Sequence, residues 1–234
     1  EFTRDWRHPL RRDPVQNPFH GIRTYPPQRF FPNRGSSRTI CGEFPEDRQS
    51  GKCLFVFGVP IERRLGAGGK MGHRLSRNLK DSAFTVRHVE VSEQGRARLA
   101  QDFGVQCVSP EVALADAQVA ILAVPDTHIG KVAQSINHLL KPGTMVVVLD
   151  AAAPFAGHLP ERPDLTYFVT HPCHPPIFND ETVMEAKLDR FGGIAAKQHI
   201  VSALMQGPET DYALGEEVAR TIWAPVMRSH RVTV

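Results

Sequence analysis

At 234 residues, 41% of them hydrophobic and 23% charged, the chain is long enough to bury a sizeable core and has the composition of a globular protein. Its 28 basic and 25 acidic residues leave a net charge of +3, which argues against a dedicated nucleic-acid binder with its clustered basic stripe. No apolar run approaches the roughly 18 to 20 residues that a membrane-spanning helix needs, and the first ten residues carry no apolar core of a signal peptide.

Residues 1–52 are crowded with Arg and Pro, and Lys is absent before Lys52. Repeated prolines remove backbone donors and break helices, so this stretch cannot bury enough apolar surface to offset its ordering entropy. It reads as an irregular, disordered arm. A basic tail touching anionic partners and a purely solvated tail are both open. A displaced start or altered reading frame accounts best for Arg-rich, Lys-free, Pro-rich text. Cys41, Cys53, Cys107 and Cys173 form no C-x-x-C pair and match no zinc framework, which fits reduced thiols in a cytoplasmic protein.

Residues 53–234 read as a single nucleotide-binding domain. The segment Leu65-Gly66-Ala67-Gly68-Gly69-Lys70-Met71-Gly72 is a dinucleotide fingerprint with Ala67 in the first glycine position, followed by Gly69 and Gly72. Glycines permit the tight turn and let backbone N–H groups approach a pyrophosphate at the start of the next helix, here Met71–Leu79. One feature dissents. The first strand belongs immediately before this turn, yet Ile61–Leu65 carries three charges. The strand-like Leu54–Val59 falls several residues early, so the central strand is expected to be missing.

A strand over Phe84–Val91 follows, with Ser92 capping a helix to about Phe103. Glu90 stands 18 residues after Gly72, close to the roughly 20 expected for the acid that binds the ribose hydroxyls. No Arg comes directly after it, which favours NAD over NADP. Val105–Val108 reads as a brief strand and Pro110 as a helix start. Val119–Val124 is continuously apolar, as in a parallel strand covered on both faces. It leads through Val124, Pro125 and Asp126, which are expected to line a cofactor crevice, into a helix over Thr127–Leu140. Thr144–Leu149, Leu165–Thr170, Ile200–Met205 and a helix over Tyr212–Trp223 continue the alternation. The fold class is α/β, a doubly wound, mostly parallel Rossmann sheet.

His171-Pro172-Cys173-His174 follows the strand Leu165–Thr170. A histidine at the carboxyl end of a parallel strand titrates near neutrality and can take a hydroxyl proton while hydride leaves for a nicotinamide. His171 is the candidate for this role and His174 its substitute. His171, Cys173 and His174, with His158 nearby, are ligand types, but no fourth ligand is evident, and no metal is expected. Asn179, Asp180 and Glu181 are candidates for polar substrate contacts, or for the cap of the next helix.

At GAGGKMG, AVPD, HPCHPPIFNDE and FGGIAAKQHIVSALMQGPE the chain closely resembles the D-apionate oxidoisomerases and their relatives, within the wider prephenate and 6-phosphogluconate dehydrogenase superfamily. The resemblance runs from Leu65 to Val234. It implies an NAD-dependent enzyme that oxidises a hydroxyl of a branched sugar acid and shifts its carbon skeleton to give 3-oxoisoapionate. It also implies a catalytic histidine at His171 and, for full-length relatives, a homodimer; the charge and the apolar runs argue against a nucleic-acid or membrane partner. Residues 1–64 match nothing in the family. The chain is expected to lack the helical C-terminal domain that completes the substrate pocket. The alternative is therefore an NAD(H)-binding domain without catalysis, or a fragment with no stable function.

Overall fold

The computed structural model describes residues 53–58, 70–176 and 180–233. The Arg/Pro-rich arm and the first glycines of the fingerprint lie outside them. Seven strands form one sheet in the order β2-β1-β3-β4-β5-β6-β7. From β1 (Cys53–Gly58) the chain passes into α1 (Lys70–Lys80), β2 (Thr85–Glu90) and α2 (Glu93–Phe103). Then come α3 (Pro110–Leu114), β3 (Val119–Leu122), α4 (Asp126–Ile136), β4 (Met145–Val148) and the short α5 (Ala152–Phe155). β5 (Thr166–Pro172), α6 (Met184–Leu188), β6 (Gln198–Gln206), α7 (Tyr212–Ile222) and β7 (Val226–Arg231) complete it.

The expectation of a missing central strand is overturned. Cys53–Gly58 pairs in parallel with β2 on one side and β3 on the other, so the early, uncharged CLFVFG segment is the central strand. The charged Ile61–Leu65 stretch is not required to serve as one. Val105–Val108 is not a strand either. It touches the sheet through one bond, Val108 N–H to the His88 carbonyl at 2.9 Å, before Ser109 caps α3. The helix expected over Thr127–Leu140 ends earlier, at Ile136, and closes in a tighter turn at Asn137–Leu139.

β1 to β5 are all parallel, as continuous apolar runs predict. Alternate residues of β3 and β4 supply opposite faces. Ala120, Leu122, Val146 and Val148 pack with Leu114, Ile129, Val132 and Ile136 of α3 and α4. Val119, Ile121, Met145 and Val147 pack with Leu75 and Leu79 of α1 and with Val218, Ile222 and Trp223 at the end of α7. The sheet thus sits between two helical layers, the doubly wound arrangement that the alternation of elements implied.

Beyond β5 the pattern changes: β6 runs antiparallel to β5, and β7 parallel to β6. Trp223 is the anchor of this extension. It is wholly buried, its indole N–H donates to Thr170 Oγ1 at 3.2 Å, and its carbonyl accepts from Arg74 and Gln198. No helix among the described residues is long and apolar enough to cross a membrane.

Candidate active site

Because β1 to β5 are parallel, their carboxyl ends share one edge, where ligands bind in sheets of this type. β2 closes on Glu90, β3 leads into Asp126, β4 into Asp150, and β5 carries His171 near its end.

Glu90 is only 3% exposed. One carboxylate oxygen accepts the Ser92 N–H at 2.8 Å, and Ser92 in turn caps α2 through the Gly95 N–H. The other oxygen, Oε2, is buried with no hydrogen-bond partner among the described residues. A buried carboxylate oxygen left unpaired is costly, so this one is set for a donor from outside the described structure. Gly95 makes room for it, since a Cβ there would lie 2.6 Å from the Glu90 carboxyl carbon. Arg96 donates to the carbonyls of Glu90 and Val91, and burial together with Glu90 pushes the Cys107 thiol up, with Arg96 opposing.

α1 begins at Lys70 and has no acid in its first turn, so its N-terminal N–H groups are free of a competing carboxylate from the helix itself. Met71 is half-buried against the layer that contains Leu75, and Gly72 is buried. Ala67, Gly68 and Gly69 and the side chain of Lys70 lie outside the described residues.

At the end of β3, Val124 is buried in the α3–α4 layer, Pro125 caps α4, and Asp126 opens that helix at the surface. Partial burial and the neighbouring Asp150 carboxylate raise the Asp126 pKa, while His171 acts against them. The acid after β3, the acid after β4 and the histidine of β5 therefore share one electrostatic neighbourhood.

The His171 side chain is 46% exposed. Its Nδ1 lies 2.7 Å from the Leu149 carbonyl oxygen and 3.7 Å from Asp150 Oδ2. His174 stands with its ring perpendicular to that of His171, centroids 6.3 Å apart. Its own Nδ1 is engaged with the Phe191 carbonyl at 2.9 Å, and its backbone is left-handed at φ 56°. The two histidines thus occupy one edge but are held by different elements. Asp180 is exposed; Glu181 is half-buried and accepts the Lys197 N–H at 3.3 Å, while Asn179 lies outside the described residues. Among the described residues no group of three His, Cys, Asp or Glu side chains is arranged to hold a metal ion.

Asp150 escaped the sequence reading. Its signal was available: it directly follows the apolar strand TMVVVL, as Glu90 closes β2 and Asp126 follows β3.

A doubly wound sheet of this strand order defines a Rossmann-type domain. Residues 65–158 match the family model of the acetohydroxy acid isomeroreductase NADPH-binding domain, and residues 179–234 match that of the phosphogluconate dehydrogenase (decarboxylating) C-terminal region. The chain is 74% identical over 170 residues to D-apionate oxidoisomerase of Rhizobium rhizogenes, across 73% of this chain and 62% of the relative. It is 66% identical over 170 residues, with the same coverage, to the D-apionate oxidoisomerase of Cupriavidus necator. A crystal structure of a semialdehyde dehydrogenase NAD-binding protein from Cupriavidus necator, in complex with calcium and NAD, is 62% identical with a TM-score of 0.72. That match covers 77% of this chain and 62% of the other. Over the matched stretch the chain is similar to these D-apionate oxidoisomerases, and it spans 62% of their length.

Proposed function

We propose that this chain is the cofactor-binding domain of an NAD-dependent oxidoreductase acting on a hydroxyl of a D-apionate-like sugar acid. The observation that carries the reading is the pairing of two groups on one sheet edge: a buried Glu90 oxygen without a partner among the described residues, and a half-exposed His171. The name and NAD complex of the similar proteins support it.

The residues present fit a dinucleotide. The orphaned Glu90 oxygen suits the donors of a ribose diol, and a carboxylate there disfavours a 2′-phosphate, hence NAD over NADP. The start of α1, with Ala67 to Gly72 before and within it, would hold the pyrophosphate. Pro125 and Asp126 would border the nicotinamide half. A bound nicotinamide supplies the hydride acceptor. His171 supplies the base: with Nδ1 donating to Leu149, Nε2 is left as the acceptor for the substrate hydroxyl proton. His174 is its substitute in this reading, and Asn179, Asp180 and Glu181 are kept as substrate contacts.

A cytoplasmic setting, in which Cys107 and Cys173 remain free thiols, and a homodimer complete the proposal. The exposed Val183, Met184 and Leu188 around α6 support a covered face in the assembled enzyme.

The test is titration of the purified chain with NADH, following nicotinamide fluorescence and thermal unfolding together, and then assay with D-apionate. Saturable binding with a raised unfolding temperature and turnover supports the reading. Binding without turnover favours the alternative, an NAD(H)-binding domain without catalytic activity. No binding overturns both.

A further inference from the structure

We propose that Asp150 is the positioning residue for His171: its carboxylate holds the imidazole with Nδ1 directed inward and supports the positive charge that forms when Nε2 takes a proton. The proposal rests on the reading of His171 as the proton acceptor.

The sheet register brings the pair together. β4 and β5 are parallel neighbours with Val148 opposite Val169. Asp150 and His171 each stand two residues further on, so they leave the ladder at the same level and on the same face, with strands about 4.8 Å apart. The Asp150 carboxylate is itself fixed, because Oδ1 accepts the Ala152 N–H at 2.7 Å. Its other oxygen, Oδ2, lies 3.7 Å from His171 Nδ1.

The tautomer follows from the partners. The Leu149 carbonyl, 2.7 Å from Nδ1, can only accept a hydrogen bond, so Nδ1 carries the proton in the neutral ring and Nε2 bears the lone pair. When Nε2 receives the hydroxyl proton, the ring becomes a cation. Its Nδ1–H then faces both the carbonyl and the Asp150 carboxylate, an acceptor of opposite charge.

Among the described residues, the other titratable groups facing the ring are Asp126 from α4 and His174 from its own turn; the β6 residue opposite His171 is the uncharged Val201. The influence of Asp150 on Asp126, which His171 opposes, agrees with one shared field. Asp150 differs from Asp126 in being pinned through its second oxygen to the start of α5.

The experiment is nitrogen NMR of the His171 ring in the complete chain at one fixed alkaline pH, its signal assigned by its loss in His171→Gln. In Asp150→Asn the ring is expected to leave its single Nδ1–H form, the two ring nitrogen shifts moving toward each other, and in Asp150→Glu to return most of the way. Turnover is expected to fall in parallel in Asp150→Asn, with NADH affinity unchanged. Unchanged ring nitrogen shifts in Asp150→Asn overturn the proposal. Should that variant fail to fold, Asp150→Ser keeps an acceptor for the Ala152 N–H and gives the same readout. Full turnover by His171→Gln would instead overturn the proton-acceptor reading, and this is distinguishable because the ring spectrum does not depend on turnover.

Discussion

His171 Nδ1 lies 2.7 Å from the carbonyl oxygen of Leu149, a bond that joins the carboxyl end of β5 to the residue that follows its parallel neighbour β4. It commits one ring nitrogen to the protein and leaves the other for chemistry. His171→Asn is therefore expected to lower turnover by about 10²- to 10⁴-fold, the usual worth of a positioned general base. NADH affinity should stay within about twofold of the parent chain, because the substitution removes the proton acceptor and leaves the cofactor-binding groups in place. Steady-state rates beside a fluorescence titration check both halves.

Glu90→Ala tests the other end of the edge. The buried Oε2 without a partner among the described residues is suited to ribose hydroxyls, and a hydrogen bond to a charged group contributes about 1.5–3 kcal/mol. NADH affinity is expected to fall by about 10- to 100-fold, read as a weakened dissociation constant in the same titration. An affinity equal to that of the parent chain would remove Glu90 from the cofactor site.

Gly215 lies where α7 crosses β5. A Cβ at this position would sit 2.4 Å from two ring carbons of Phe168, which is wholly buried and cannot swing into solvent. Gly215→Ala gains helix propensity, but the clash must be relieved by moving either the ring or the helix. We expect a net destabilisation of about 1–3 kcal/mol, seen as a lower midpoint in urea unfolding.

His88 gives a pH dependence of known sign. Burial beside Ser76 lowers its pKa to about 4, so the folded protein holds it neutral. Below about pH 6.5 the unfolded chain takes up a proton that the folded chain refuses. The stability that His88 contributes is therefore intact above pH 6.5 and is lost as the pH falls toward 4, by on the order of 3 kcal/mol in all. His88→Gln is expected to flatten the fall in the urea midpoint between pH 6.5 and 4. An unchanged slope would mean that other groups govern acid unfolding.

Much of the fold was legible because its signals are local. The apolar runs VAIL and MVVV form strands covered on both faces, and Ser92 and Ser109 cap the helices that they precede. The spacing from Gly72 to Glu90 and the place of His171 after an apolar strand follow from the same alternation. These features depend on period, capping and turn chemistry, all of which act over a few residues.

What the tertiary structure decided involves partners distant in sequence. Whether CLFVFG or the text beside the glycine turn would be the central strand depended on pairing with β2 and β3, about 30 and 65 residues away. The antiparallel turn to β6, and β7 beside it, carry no local mark of direction, because a strand's own sequence does not fix which way its neighbour runs. The same holds for the site. The sequence by itself determined that an acid and a histidine would close parallel strands, but the register of β4 against β5 placed Asp150 beside the ring and gave Nδ1 to Leu149.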